Sequence, residues 1–276
     1  MPRRPRLLTQ RLLLGPLVFA GTLAGCRDTK PWHEPEWRPS TPPQRIVAGS
    51  VTSAEVLLAL DIGERLRAVH VLAAEPAYSM VAAAARALPQ VGAEPEQLLS
   101  VAPDLVLVDP FTREETVALL SAAAVPVVRT TDVHSFAGIA ANVRRIGQLT
   151  AAEPAAEQLI AALQQRQRDI ASAGADLPRW RVLALDGALH TYGHGSLFDA
   201  IARTAGAVNV AAEHGVGAFR KLDVEEVLAL RPDAIVLAGE PAAAAADIVP
   251  AWLLQMPGVR LLTAVQRRRI VPIPAP

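Results

Sequence analysis

Two glutamates, Glu96 and Glu225, occupy the same position in a phrase that the sequence contains twice. In each copy the glutamate opens a short apolar turn, and a Pro-Asp pair follows seven residues later, at Pro103 and at Pro232. This order predicts a short helix, a stop and a buried strand. The helix dipole favours a carboxylate in a first turn, and an exposed carboxylate can also pair with a basic partner. If two similar lobes carry the phrase, the glutamates lie on one face, as a partner with two-fold symmetry requires.

Histidines offer a second kind of chemistry, metal binding. The chain has six, and His190 and His194 are the pair spaced to share an ion. Gly193 and Gly195 beside them indicate a loop and not a helical pair of ligands. We therefore expect no metal site, and Zn²⁺ is the expected ion if the alternative of direct metal binding holds.

A hydrolytic group of Asp186, His190 and Ser196 is a third possibility. The sequence has no Gly-x-Ser-x-Gly elbow, no Walker phosphate loop and no paired-cysteine metal site. From these absences we expect neither catalysis nor a cofactor. Ester hydrolysis that is lost on His190→Ala would favour the enzyme instead.

Residues 1–25 have the features of an export signal. Four arginines precede an apolar run at 12–20, and small residues then lead to Cys26. The run is shorter than the about 20 residues that span a bilayer. Leu-Ala-Gly-Cys resembles the lipobox of bacterial lipoproteins, whose cysteine is acylated and becomes the mature N-terminus. Because Cys26 is the only cysteine, the resemblance implies a lipid anchor there and a mature chain without disulfides.

Length and composition suit two α/β domains. The chain has 276 residues, of which 51% are apolar and only 4% aromatic, a content that fills helix-on-sheet cores. Without the signal the net charge is about −4, and nothing indicates a nucleic-acid partner;. Residues 26–43 carry five prolines and are expected to form an extended tether.

Strands alternate with helices on both sides of one long predicted helix. The predicted strands are 45–49, 67–72, 105–108, 126–129, 181–185, 234–237 and 269–273. The predicted helices are 54–60, 114–123, 136–149, 154–170, 197–205 and 225–230, with a glycine-rich loop at 187–195. The alternation predicts an α/β fold of two Rossmann-like lobes with parallel-rich central sheets. We place the lobes at 44–152 and 176–276, joined by a linking helix at 153–175.

The chain resembles substrate-binding proteins of bacterial ABC importers, in the rigid-hinge branch (class III) that binds iron–siderophore complexes, haem or cobalamin. The resemblance is carried by the order and spacing of 45–69, 88–108, 125–128, 142–150 and 192–237. Two features depart from the family. Ala93 stands where haem-binding members often have a tyrosine, and relatives continue into a further helix after the last strand, so the resemblance implies either a trimmed lobe or an incomplete sequence.

The resemblance implies that Glu96 and Glu225 dock on arginine pockets of paired permease subunits. It also implies a ligand between the lobes, at loops that follow the carboxyl ends of strands. The ligand-binding candidates are Ser50, Thr52, Tyr78, Gln90, His190, Tyr192, His194, Phe219 and Arg220. Each of these side chains is about as suited to a local hydrogen bond or to core packing as to a ligand contact.

The predicted function is therefore capture of a metal–organic complex, a ferric siderophore first and cobalamin or haem next. The partners implied are an ABC permease dimer with its ATPase and a membrane that holds the lipid. The protein is expected to be an exported, lipid-anchored monomer that faces the periplasm or the cell exterior. The alternatives are a sensor or scaffold of the same fold without transport, and direct Zn²⁺ binding.

Overall fold

The structure is a computed structural model that describes residues 38–240 and 249–274. The predicted signal, the predicted lipid anchor at Cys26 and most of the predicted tether therefore lie outside the described residues. Within the described ranges, no helix has the length and apolar character needed to cross a bilayer.

A five-stranded parallel sheet forms the centre of the N-terminal lobe. Its strands are β1 (Ile46–Ala48), β2 (Leu66–His70), β3 (Gln90–Val91), β4 (Leu105–Val108) and β5 (Val127–Arg129), in the order β3-β2-β1-β4-β5. Side chains alternate between the two faces: Ile46 and Leu107 pack in one apolar cluster, and Val47 and Val106 pack in another. Because both faces are covered, the central strands must be apolar at every position, and β4 is buried throughout.

Five helices surround this sheet. They are α1 (Val51–Ala59), α2 (Ala82–Ala85), α3 (Pro95–Leu99), α4 (Glu114–Ala122) and α5 (Phe136–Thr150). The sequence predicted that α1 would begin at Ala54, which is wrong. Ser50 and Ser53 form a capping box, in which each side chain accepts from the other residue's backbone N–H, so the helix begins directly after Ser50.

The longest helix, α6 (Glu153–Gly174), has 22 residues and packs along α5. A Cβ atom at Gly147 would lie 2.5 Å from the Cβ of Ala156, so the glycine allows the close approach of the two helices. Arg144 and Glu157 add an ion pair of 2.6 Å between them. Beyond this contact α6 continues to helix α7 (Leu197–Thr204) of the C-terminal lobe.

The C-terminal lobe is built on a four-stranded parallel sheet. Its strands β6 (Arg181–Leu185), β8 (Val208–Asn209), β10 (Ala234–Glu240) and β11 (Ile270–Pro274) lie in the order β11-β10-β6-β8. Two further strands, β7 (His190–Thr191) and β9 (Arg220–Lys221), pair antiparallel to each other. The remaining helices are α8 (Val210–Glu213), α9 (Val224–Leu230), α10 (Ala251–Leu254) and α11 (Thr263–Gln266). The prediction of an irregular loop at 187–195 is corrected by β7, which is too short to show a period-2 pattern.

The Pro-Asp pair has the same structural role in both lobes. Asp104 accepts hydrogen bonds from the backbone N–H groups of Gln44 and Arg45, at 2.9 and 2.8 Å. Asp233 accepts one from the N–H of Arg181, at 3.2 Å. Each aspartate thus fastens the start of the strand it precedes to the start of the neighbouring central strand, β1 or β6.

Candidate functional site

Side chains from both lobes line one cavity at the carboxyl ends of the strands. Phe111 and His134 follow β4 and β5 of the N-terminal lobe, and Tyr192 and Phe219 come from the C-terminal lobe. The cavity encloses about 470 Å³. An apolar cavity with aromatic rings on opposite sides can hold a ligand that has flat or apolar faces.

The aromatic wall of the C-terminal lobe is built on the β7–β9 pair, in which His190 lies opposite Lys221. Phe219, which precedes β9, stacks on the ring of His190 with 4.9 Å between centroids and 23° between planes. Tyr192 follows β7, and its ring centroid lies 5.4 Å from that of Phe219. The three rings therefore form one cluster, and two of them, Tyr192 and Phe219, line the cavity.

Asp186 holds the imidazole ring of His190, one of the three rings of this cluster. Its Oδ1 atom accepts from the N–H groups of Ala188 and His190, both at 2.9 Å, and its Oδ2 atom lies 2.9 Å from His190 Nδ1. Burial opposes the charge of this carboxylate, but the hydrogen bonds from His190 and Ala188 outweigh it and lower the pKa of Asp186;. Since an ionised carboxylate only accepts, Nδ1 of His190 carries the proton.

Two aspartates shape the wall of the N-terminal lobe. Asp109 accepts the N–H of Phe111 at 2.9 Å, and Asp132 accepts the N–H of His134 at 2.8 Å. The hydroxyl of Ser135 also donates to Asp132, and this bond together with that from His134 lowers the pKa of Asp132. The rings so placed lie 6.3 Å apart, edge to face.

A second, more polar pocket of about 360 Å³ adjoins Phe111 on the N-terminal lobe. Thr52, His70 and Asp109 line it from the ends of three different strands. The N–H of Leu72 donates to His70 Nδ1 at 3.2 Å. Burial lowers the pKa of His70, and the negative charge of Asp109 opposes this effect in part;. His70 is therefore a neutral hydrogen-bonding group of this pocket near pH 7.

The structure brings some of the predicted ligand residues together. Ser50 and Thr52 line the polar pocket, although the hydroxyl of Ser50 is engaged with Ser53 at 2.9 Å. Tyr192 and Phe219 line the shared cavity. The described parts of the two lobes thus place predicted residues on both sides of the same region.

Other predicted residues lie elsewhere. His190 contacts Phe219 but is not among the residues that line the shared cavity, and His194 lines a small separate pocket with Arg203. Arg220 donates to Glu226 at 2.8 Å. Tyr78 and Gln90 are exposed and line neither of the two pockets above.

The glycine-rich loop has a structural reason of its own. A Cβ atom at Gly193 would lie 2.1 Å from the carbonyl oxygen of Val216, and the Gly193 N–H donates to the carbonyl of Gly217 at 2.9 Å. The glycine therefore serves the close approach of two backbone segments.

Sequence reasoning missed Asp109, Phe111 and Arg113, which follow β4, and His134, which follows β5. The signal was available, since both strands were predicted and ligands of open α/β sheets bind beyond carboxyl ends of strands.

In the part of the chain that the structure describes, no three His, Cys, Asp or Glu side chains are grouped so as to hold a metal ion.

Glu96 and Glu225 are both exposed in the first turns of α3 and α9. Each helix ends just before a strand begins, so its first turn lies towards the carboxyl edge of the sheet, which also carries the ligand pockets. The side chain of neither glutamate has a hydrogen bond or ion pair with another described residue.

The acids next to them are engaged within the chain. Glu226 completes a capping box with Asp223 and pairs with Arg220 at 2.8 Å. Glu94 lies 3.7 Å from Arg113. In each lobe, therefore, the repeated glutamate is the acid of its pair left available to a partner.

The chain is similar to known proteins in sequence and in structure. The model of the family described as "Periplasmic binding protein" matches residues 46–276. A curated relative, the uncharacterized ABC transporter substrate-binding lipoprotein YvrC of Bacillus subtilis, is 23% identical over 264 residues, which are 86% of this chain and 82% of that protein.

Two solved structures have the same fold. The periplasmic heme-binding protein RhuT from Roseiflexus sp. RS-1, in apo form, has a TM-score of 0.70 and 28% identity, over 84% of this chain and 89% of that one. A protein described as an ABC-type Fe³⁺-hydroxamate transport system, from Saccharomonospora viridis, has a TM-score of 0.66 and 23% identity, over 84% and 86% of the two chains.

Proposed function

We propose that this chain, which belongs to the periplasmic binding protein family, is the extracytoplasmic substrate-binding component of an ABC importer. The observation that carries the proposal is the cavity into which aromatic side chains of both lobes project, Phe111 and His134 on one side and Tyr192 and Phe219 on the other. A cavity shared between lobes is a site for capture, and transport requires no reaction there.

The cargo that we propose is a metal–organic complex, a ferric siderophore first and haem or cobalamin next. The support is of two kinds. The rings of the shared cavity offer flat apolar contacts, and the polar pocket beside Phe111 offers hydrogen-bonding groups such as Thr52 and His70 to the more polar part of a complex. The similar proteins named above are described as binding heme and as transporting Fe³⁺-hydroxamate.

We further propose that residues 1–25 are removed on export, that Cys26 carries the lipid and that residues 26–43 tether the lobes at 44–152 and 176–276 to the membrane. The support is the lipobox-like sequence before the single cysteine, and YvrC is itself described as a lipoprotein. The protein would then face the periplasm or the cell exterior.

Release of the cargo is proposed to occur on the permease. The helix α6 continues from its packed contact with α5 to α7 of the other lobe, so a wide hinge motion would disturb this packing. Docking of Glu96 and Glu225 on two permease subunits would pull the lobes apart by a small amount instead. The two glutamates would then determine delivery and not affinity.

Titration of the purified protein tests capture. Quenching of tryptophan fluorescence is followed with ferrioxamine B, haemin, cyanocobalamin and Zn²⁺, for the native chain and for Phe111→Ala and Phe219→Ala. We expect one metal–organic probe to saturate, and each substitution to weaken it about tenfold, the order expected for an aromatic contact with its buried area. Leu261→Ala, which changes a leucine that is 77% exposed, is the control. If Zn²⁺ alone saturates, or if no probe does, the proposed cargo is wrong.

Uptake into cells that lack the native protein tests docking. The double variant Glu96→Ala with Glu225→Ala is expected to abolish uptake of the probe that binds and to leave its affinity unchanged. Glu115→Ala removes an equally exposed first-turn acid of α4 and is the control. Normal uptake by the double variant would favour a sensor or scaffold of the same fold, and an equal loss of affinity would mean that the glutamates contact the cargo.

A further inference from the structure

We propose that His190 is not a ligand contact but a positioning residue. In this proposal Asp186 fixes the orientation of the His190 imidazole. The imidazole in turn holds the ring of Phe219 in the wall of the shared cavity. The inference rests on the proposed function insofar as this cavity is taken to bind the cargo, but the positioning itself can be measured without any cargo.

The arrangement starts from a rigid element. Leu185, the last residue of β6, is fully buried, and Asp186 follows it directly. The carboxylate of Asp186 then accepts three hydrogen bonds from Ala188 and His190. Leu189 between them adopts the left-handed region with φ of 66°, a conformation rare for a branched residue. The short turn is therefore held by the carboxylate and by the β7–β9 pairing together.

The bond to the imidazole sets the direction of the ring. Nδ1 lies 2.9 Å from Oδ2 of Asp186, and the ring held by this bond lies at 23° to the ring of Phe219. A histidine that donates one N–H to a carboxylate is fixed in tautomer and in orientation. Asp186 therefore acts on the cavity through two aromatic rings.

Phe219 needs such support. Its side chain is 58% exposed, and it lies in the short stretch before β9, a strand of only two residues. An exposed aromatic ring in a loop has several rotamers of similar energy. Contacts with the rings of His190 and Tyr192 select the rotamer that lines the cavity.

A double-mutant cycle separates positioning from direct contact. The probe is whichever of ferrioxamine B, haemin or cyanocobalamin saturates the native chain. We expect Phe219→Ala to weaken binding of the probe about tenfold and His190→Ala to weaken it about fivefold. The affinity of the double variant should lie within about twofold of that of Phe219→Ala. If the losses multiply, His190 contacts the cargo itself, and the proposal is overturned. His214→Ala, which removes a ring whose hydrogen bond among the described residues is to the carbonyl of Val210, is the control.

The role of the carboxylate is tested by a conservative pair. Asp186→Asn keeps one oxygen that can accept from the backbone N–H groups of Ala188 and His190, and its amide N–H can donate to Nδ1 of the other imidazole tautomer;. Asp186→Ala removes all of these hydrogen bonds. We expect Asp186→Ala to weaken the probe as much as His190→Ala does, and Asp186→Asn to restore most of the loss. Equal losses in both variants would show that the charge matters and not the positioning of the ring.

A measurement without cargo distinguishes failure of this proposal from failure of the proposed function. 4-Fluorophenylalanine is placed at position 219, and its ¹⁹F shift and line width are recorded in the free protein. We expect a sharp ¹⁹F signal when the rest of the chain is native. In His190→Ala and Asp186→Ala its chemical shift should move towards that of free 4-fluorophenylalanine. If no probe binds but the signal moves in this way, the positioning stands and the proposed cargo fails. An unchanged signal in both variants overturns the positioning.

Discussion

In the N-terminal lobe four neighbouring strands lie in the order β2-β1-β4-β5, and in the C-terminal lobe the order β8-β6-β10-β11 repeats it. The residue before each repeated proline, Ala102 and Arg231, adopts the left-handed region with φ of 48° and 44°. Neither is a glycine, so the tight stop between helix and strand imposes this conformation in both copies. The two lobes thus share this order of four strands and the left-handed backbone conformation before the repeated proline, and we call these shared features the frame.

The lobes differ in how their sheets are covered. In the N-terminal lobe both faces of the sheet pack in apolar clusters. In the C-terminal lobe Leu183 and Ile235 belong to a cluster, whereas Ala184 and Val236, paired neighbours on β6 and β10, line the shared cavity. Both faces of the N-terminal sheet therefore belong to the core, whereas one face of the C-terminal sheet also forms a wall of the shared cavity.

The lobes differ also in the segment that comes after the first strand. After β1 the chain enters α1 at once through the Ser50 capping box. After β6 it forms the turn at Asp186 and the β7 strand before α7 begins. The insertion carries His190 and Tyr192, and its partner strand follows Phe219. The repeated frame therefore gives stability, while the binding chemistry lies in the connections that are not repeated.

The largest expected effect comes from truncating Leu107 and Val236, the third residues after the repeated aspartates. The two substitutions should lower the free energy of unfolding by different amounts. Leu107 is fully buried, and Val236 borders the cavity. We expect Leu107→Ala to lower the free energy of unfolding by about 3 kcal/mol and Val236→Ala by about 1 kcal/mol or less, because the second side chain already faces a cavity. Urea unfolding followed by far-UV circular dichroism measures both. Similar losses would show that the two sheet faces are covered alike.

Removal of the repeated aspartates should have an intermediate effect and tests the shared frame. Asp104 accepts two backbone hydrogen bonds and Asp233 accepts one. Hydrogen bonds to charged groups contribute about 1.5–3 kcal/mol each, and solvent weakens those of Asp104, which are exposed;. We therefore expect Asp104→Ala to cost about 2 kcal/mol and Asp233→Ala about half as much. Asp104→Asn, which keeps one acceptor, is the matched control. A larger loss at Asp233 would mean that the two pairs do not have the same role.

The smallest effect concerns pH and is confined to the N-terminal lobe. Burial lowers the pKa of His70, so the folded chain binds fewer protons at this residue than the unfolded chain does. The stability that the neutral ring contributes is complete above its unfolded pKa of about 6.5 and is lost as the pH falls through the lowered value. Protonation of Nδ1 would also remove the acceptor for the N–H of Leu72.

His70→Asn keeps an acceptor at that place and removes the titration. Between pH 7.5 and pH 5.5 the native chain should therefore lose slightly more stability than His70→Asn. Thermal unfolding of both proteins at the two pH values provides the measurement. Parallel losses would mean that His70 does not contribute to the pH dependence.

Much of the frame could be predicted because its signals are local. The apolar runs at 105–108 and 181–185 coincide with β4 and β6, and the long pattern from residue 154 coincides with most of α6. The two-residue strands β3, β7, β8 and β9 could not be predicted, because a period of two cannot be recognised in two residues. For the same reason the aromatic wall of the C-terminal lobe was not visible as a unit.

The repeated phrase, the α/β class and the candidate acids Glu96 and Glu225 could be inferred from the order of residues, since each depends on neighbours along the chain. The folded arrangement was needed to show that His190 stacks on Phe219 without lining the cavity, and that Phe111 and His134 oppose Tyr192. These contacts join residues far apart in sequence, and they depend on strand pairing and on packing between lobes. No local pattern encodes either of these.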